Sequence, residues 1–240
     1  LPALQEARNL VVTGRLEKGE VFIPEISLTV TEVFGDVLIA NGILAGNNLQ
    51  GRAERSVGRN GSLTVALMDK TGPFHLDLEI DADLAQLPPI LAQVVEHRAF
   101  LTELARLRDV TGAASGRLIL DGTMDSIKTR VEVAEWDLAA LHERLPFPVA
   151  LRAGGFVYEG HELTVEALQG SLGRSNVSDL SGTLTWNREL TFELAGPAKG
   201  RLLLNEIFPW LMSFTPVRDN PWKIQTLEGA IDLHSLTFKG

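Results

Sequence analysis

Leu76-Asp77-Leu78-Glu79-Ile80-Asp81-Ala82-Asp83 alternates apolar and acidic residues without a break. Successive side chains of a strand point to opposite faces, so this stretch is a strand buried on one face and wetted on the other. The chain also says it twice: Leu78-Glu-Ile-Asp-Ala-Asp-Leu-Ala-Gln-Leu87 and Val131-Glu-Val-Ala-Glu-Trp-Asp-Leu-Ala-Ala-Leu141 match once a residue is inserted in the second copy. Each copy reads as a strand running into a short capped helix. Gly-Arg-Leu recurs at Gly14, Gly116 and Gly200, each time where a strand could begin. Self-similarity of this kind predicts a stacked or elongated architecture, whose function lies in a long surface and not in a compact catalytic pocket.

Outward from that stretch the period of two continues. Ile26, Leu28 and Val30; Leu63, Val65 and Leu67; Val131 and Val133; Leu163, Val165 and Ala167; and Leu190, Phe192 and Leu194 each give one apolar face with polar residues between. Antiparallel sheets wetted on one side have this pattern, and buried parallel sheets do not. Asn41-Gly42 and Asn60-Gly61 supply positive-φ residues for tight hairpins. Thr71-Gly72-Pro73, Asp121-Gly122, Glu159-Gly160 and Asn187-Arg188 punctuate the other strands, and about a dozen strands are implied at this spacing.

Three helical interruptions are predicted. The first starts at Asp83, passes Pro88-Pro89 and runs to Leu107, and its prolines divide it into two short helices. The second runs from Asp137 to just before Pro146, and the third covers Leu203 to Phe214. The fold class is therefore mainly β, an elongated, curved antiparallel sheet, as a repeating β-groove or sandwich-like, with about three short helices. No Pro/Ser-rich linker divides it, so residues 1–240 read as one β-rich segment of a longer protein. Its repeat units cover roughly 10–87 and 112–196, with a C-terminal unit at 197–240.

Composition narrows the possible functions. With 45% hydrophobic and 22% charged residues the chain has material for a folded core and is not of disordered composition. A net charge of -9 opposes partners held by phosphate neutralisation, and the basic stretches Arg52 to Arg59 and Arg98 to Arg108 are interleaved with acids, so no nucleic-acid partner is expected. The absence of cysteine excludes disulfides and thiolate chemistry. The apolar stretches Leu87 to Val95 and Ile207 to Phe214 are short of the roughly 20 residues a membrane helix needs. The opening Leu-Pro-Ala-Leu-Gln-Glu-Ala lacks the pattern of a signal peptide, as expected of a piece of a longer protein.

Chemistry-bearing constellations do not assemble. His75, His97, His142, His161 and His234 are scattered, with no pair at metal-ligand spacing, and read as surface or edge residues. Gly46-Asn-Asn-Leu-Gln-Gly51 has the glycine spacing of a phosphate loop, but Arg52-Ala53 stands where Lys-Ser or Lys-Thr is required, so it reads as a turn-rich connection. Gly173-Arg-Ser-Asn-Val177 begins like a nucleophile elbow without its second glycine and reads as a polar turn. Asp77, Glu79 and Asp81 could bind a hard cation, although like charges on a wetted face also keep a sheet soluble. Asn60-Gly-Ser62 and Asn176-Val-Ser178 match the glycosylation pattern, which arises often by chance. No catalytic residue, metal ligand or cofactor is assigned.

The apolar faces need an explanation of their own. Either two sheets close over each other, or the sheet curls into a trough whose lining waits for a ligand. Trp186, Phe192, Trp210 and Trp222 fit both. On the second option Leu118, Leu120, Val131, Val133, Leu163, Val165, Leu184, Trp186, Leu190 and Phe192 line the groove. On the first, a β-sandwich uses its polar face and exposed tryptophans to bind a carbohydrate or protein partner.

Residues 73–211 resemble the AsmA-like superfamily of bacterial envelope proteins, with its TamB- and YhdP-type repeating β-groove. The resemblance rests on Pro73-Phe-His-Leu-Asp-Leu-Glu-Ile-Asp-Ala-Asp-Leu84 leading into a proline-interrupted helix, on Val110-Thr-Gly-Ala-Ala-Ser-Gly-Arg-Leu-Ile-Leu-Asp-Gly122, and on Leu163-Thr-Val-Glu-Ala-Leu-Gln-Gly-Ser-Leu-Gly-Arg-Ser-Asn-Val-Ser-Asp-Leu-Ser-Gly182. It implies a periplasmic segment of a protein anchored in the inner membrane by a part outside this chain. It also implies a non-enzymatic role, in which an apolar groove carries phospholipid or another acyl-chain lipid between the membranes for outer-membrane biogenesis.

Overall fold

The computed structural model describes residues 10–23, 27–95, 97–152, 154–186, 189–196, 199–212 and 224–240; at Val94, Leu190 and Phe238 only the backbone is described. The fold is mainly β, as the alternation predicts, with 69% of the described residues in strands against 12% in helices, so the sheet decides the architecture. The strands are β1 (Val11–Ile23), β2 (Leu28–Ala40), β3 (Ile43–Ala53), β4 (Ser56–Ala66), β5 (Pro73–Asp83), β6 (Leu107–Thr123), β7 (Ser126–His142), β8 (Val149–Arg152), β9 (Gly155–Glu159), β10 (Glu162–Leu172), β11 (Ser175–Trp186), β12 (Leu190–Gly196), β13 (Lys199–Leu203), β14 (Ala230–Leu233) and β15 (Leu236–Lys239). All fifteen belong to one hydrogen-bonded antiparallel sheet, in the order β1 to β8, β10, β11, β12, β15, with β9 beside β7 and β10 and with β13 beside β11 and β14. Strands β1 to β7 thus pair with their sequence neighbours, and no second sheet lies against them among the described residues.

Among the described residues three short α-helices interrupt it. After a 3-10 turn at Leu84–Gln86 come α1 (Leu87–Val94) and α2 (Arg98–Leu104), two short helices as expected, although Pro88-Pro89 lie in the first turn of α1 and the division falls after Val94; α3 is Leu204–Leu211. The helix expected from Asp137 does not form, because β7 continues as strand through His142. Of the third expected helix, Phe214 lies outside the described residues, as do Ile26, the Asn187-Arg188 turn and Trp222.

The chain divides into two compact units. The first holds the described residues up to Asp83 together with 114–133 and 157–160; the second holds 84–113, 134–156 and the described residues from His161 on.

In the first unit, register places Val12, Ile39, Leu44, Val65 and Phe74 opposite one another on β1 to β5. Gly14, Val37, Gly46, Leu63 and Leu76 form the next row. Directly opposed residues share a face, so these two rows are one apolar surface. The other face carries Thr13, Leu38, Ala45, Thr64 and His75 in one row and Arg15, Asp36 and Asn47 in another.

Asn41-Gly42 makes the β2–β3 hairpin as expected, with φ of 53° and 75°. Asn60-Gly61 does not turn the chain: it lies inside β4, where the register shifts by a bulge. The supposed phosphate-loop stretch at Gly46 to Gly51 lies inside β3 and bulges in the same way. Lys18, Glu32, Asn48 and Asn60 each take φ between 51° and 54°, one on each of β1 to β4. A bulge inserts an unpaired residue and bends its strand, and asparagine tolerates the left-handed conformation. Beside these bulges leucines fold over glycines: Leu49 covers Gly35, Gly46 and Gly61, and Leu78 covers Gly58 and Gly61.

In the second unit Leu163, Leu184 and Phe192 form one apolar row, Val165, Gly182 and Leu194 the next. A third runs through Leu138, Leu151, Gly170, Val177 and Gly200. Thr164, Thr183, Glu193 and Lys239 mark the polar side. Helix α3 is pinned by Glu206, whose carboxylate accepts from the backbone N–H groups of Arg174 and Ser175 and from Ser175 Oγ at 2.8 Å. Gly173-Arg174 is therefore the polar turn expected between β10 and β11, with a docked helix added to it.

Candidate ligand surface

The carboxylates on the acidic face of β5 are all hydrogen-bonded or ion-paired by neighbouring side chains. Arg117 Nε donates to Asp77 at 2.6 Å, Asn60 Nδ2 to Glu79 at 2.8 Å, and Arg59 Nη2 stands 2.5 Å from Asp81, which also accepts from Ser115 Oγ at 2.9 Å. The Arg117 hydrogen bond holds the Asp77 carboxyl below its usual range. Among the described residues no cluster of ligating side chains suited to a metal ion occurs; of the carboxylates considered for a hard cation, Asp77 and Asp81 pair with arginines and Glu79 accepts from the Asn60 amide. His75 Nδ1 lies 3.3 Å from Asp121, and His97 Nδ1 accepts the Phe100 N–H at the start of α2.

The apolar faces are the larger feature. Among the described residues the buried apolar side chains are Leu84, Ala114, Val133, Ala140 and Leu180, of which only Ala114 and Val133 belong to the first unit. In that unit Ile39, Leu44, Val65 and Phe74 are half-buried, and Val12 is 42% exposed. No helix of the described residues belongs to this unit, so within it the apolar face has no second layer. An amphipathic sheet in water ordinarily buries that side.

Of the residues expected to line a groove, Val133 is buried, while Leu118, Leu120, Val131, Leu163, Val165, Leu184, Trp186 and Phe192 are half-buried. The Leu190 side chain lies outside the described residues, though its backbone pairs with Trp186. Register brings Leu163, Leu184 and Phe192 side by side and puts Val165 in the neighbouring row. The row from Val12 to Phe74 was missed. Its signal was the turn spacing, because Asn41-Gly42 fixes which residues of β2 and β3 face each other.

Helix α2 lies against the second unit's face. Its Phe100 ring stacks on Trp186 with centroids 6.0 Å apart and planes 26° from parallel. One turn later Glu103 meets two arginines and a histidine. His142 Nε2 is 3.4 Å and Arg144 Nη2 3.3 Å from its carboxylate, and Arg106 Nη1 donates to it. His142, read from sequence as a surface or edge residue, keeps only 16% of its side chain exposed because it ends β7 beneath this carboxylate. Arg108 pairs with Glu143 at 2.5 Å beside it. No residue of α2 is itself buried. Sequence reasoning missed Phe100 and Glu103; their i, i+3 spacing in a short helix was the available signal.

No helix of the described residues is long and apolar enough to cross a membrane. Compared with known proteins, the chain matches no family model, resembles no curated protein and superposes on no solved structure.

Proposed function

We propose that this chain is a non-enzymatic segment of an AsmA-like envelope protein, and that the apolar side of its sheet is a path for the acyl chains of phospholipids moving between the inner and outer membranes. On this reading it works in the periplasm, its parent protein is anchored in the inner membrane by a part outside this segment, and lipid is its partner. The observation that carries the reading is the first unit's row Val12, Ile39, Leu44, Val65 and Phe74, apolar across five strands and left half-buried or exposed with no layer of its own unit over it. Apolar patches of that extent mark binding surfaces more often than idle ones. Each methylene of an acyl chain withdrawn from water on such a surface contributes about 0.8 kcal/mol, so a lipid tail gains enough without any catalytic group.

The test is to purify the chain from bacteria and look for phospholipid by native mass spectrometry and by solvent extraction. Bound phospholipid is expected in the native protein, and its loss in a Leu44→Asp, Val65→Asp double variant that keeps its β-sheet circular dichroism. Protein that emerges free of lipid, with an apolar face that binds no acyl-chain probe, overturns the reading.

A further inference from the structure

Helix α2 presents an apolar group and an anionic group on one side, three residues apart, and each meets the partner that a lipid's corresponding part would choose. Phe100 lies on Trp186, one of the apolar residues of β11. The Glu103 carboxylate sits among Arg106, Arg144 and His142, with the Arg108–Glu143 pair adjoining. Arg106 lies between the helix and β6, and its carbonyl accepts from the Glu143 N–H at 3.2 Å; His142 and Arg144 belong to the end of β7 and the turn after it, so all three stay if the helix leaves. The carboxylate remains 44% exposed, and no α2 residue is buried, Phe100, Leu101 and Leu104 being half-buried.

We propose that α2 occupies the place of an anionic amphiphile: Phe100 stands where the apolar chain lies on Trp186, and Glu103 where the carboxylate or phosphate head meets Arg144 and His142. The inference rests on the reading of the apolar face as a lipid path, and names the head-group charge it selects and the internal competitor it must displace. A guanidinium recognises carboxylate and phosphate oxygens through charge-assisted hydrogen bonds, an imidazole N–H can add another hydrogen bond, and a neutral head offers no charged partner. Removal of the competing carboxylate therefore favours an anionic ligand and leaves a neutral one unaffected.

The experiment titrates the whole chain with cis-parinaric acid and with its methyl ester, following probe fluorescence. The acid binds more tightly than the ester to the native chain. Glu103→Gln tightens the acid about fivefold, the scale of one partly exposed ion pair, and leaves the ester unchanged. Arg144→Gln brings the acid to the affinity of the ester, and Phe100→Ala tightens both. Should Phe100→Ala fail to fold, the two conservative variants decide the matter. Equal affinities of acid and ester in the native chain, or a Glu103→Gln variant that treats them as before, overturn this proposal and leave the lipid path standing. Displacement of the bound acid by an equal concentration of acetate overturns it as well, because the site would then select a free anion. If neither probe binds, both readings fall.

Discussion

Glu206 keeps a carboxylate almost wholly out of water, 3% exposed, at the first turn of α3. Burial acts to raise its pKa, but the Ser175 hydroxyl, the Arg174 and Ser175 N–H groups and the Arg174 guanidinium outweigh it, and the net shift is downward from 4.5. A group whose folded-state pKa is depressed stabilises the fold fully above its unfolded value and loses that contribution as the pH falls through the folded one. Thermal stability should therefore decline below about pH 4.5 in the native chain, and Glu206→Gln should lower stability at pH 7 while flattening this part of the acid limb. Melting followed by circular dichroism from pH 7 to pH 3 measures both. At Gly116 the constraint is steric: a Cβ there would meet the Glu132 carbonyl oxygen and the Val133 backbone on the paired strand. Backbone cannot rotate away as a side chain can, so Gly116→Ala should cost about 1–3 kcal/mol in urea unfolding. The three Gly-Arg-Leu repeats fall within β1, β6 and β13, but only this contact says why glycine is needed at Gly116.

At the scale of elements, the repeated stretch carries the chief correction. Both copies were expected to run from strand into helix. The first does, through the 3-10 turn at Leu84–Gln86, while the second stays extended to His142. The inserted residue explains how. Val131 and Val133 are withdrawn from solvent, Ala134 and Glu135 are both exposed, and the withdrawn positions resume at Trp136, Leu138 and Ala140. A Cβ at Gly116 would meet the Glu132 carbonyl and one at Gly112 the Asp137 carbonyl, so four steps on β6 oppose five on β7. That is the count of a one-residue bulge. Without it the strand's period of two would turn Leu138 and Ala140 toward the polar side. Deletion of Ala134 should consequently destabilise the chain far more than deletion of Lys70 in the loop before β5, as read by denaturation midpoints. Gly42, at φ 75° in the β2–β3 turn, gives the complementary case. There the sequence signal was sufficient, and Gly42→Ala should cost about 1–2 kcal/mol because an L-residue resists that conformation.

At the scale of the whole molecule, strand content and antiparallel pairing were legible from period-two alternation and asparagine-glycine pairs, while the paired prolines marked the start of α1 and not the division between the two helices. These are local signals, and they translate directly into local structure. The bulges at Asn48 and Asn60 were not legible, since the same residues that turn a hairpin also relieve a bulge, and only the partner strand decides between them. If the first unit's apolar face holds acyl chains, phospholipid should slow backbone hydrogen exchange at the centres of β2 to β4 and leave the exposed loop around Lys70 unaffected. Uniform exchange with and without lipid would count against that surface as the contact.

The sequence by itself determined that this protein is an antiparallel sheet with one apolar and one charged side, because alternation depends only on the geometry of a single strand. It also determined that the acidic side of β5 faces away from the apolar one. What the tertiary structure decided is which residues stand together: the row from Val12 to Phe74, the arginines that neutralise Asp77 and Asp81, and the meeting of α2 with Trp186 and His142. The reason is physical. A strand's faces follow from its own dihedral angles, whereas register across a sheet depends on bulges and turns in its neighbours, and one residue added to any of them exchanges the faces of all that follows.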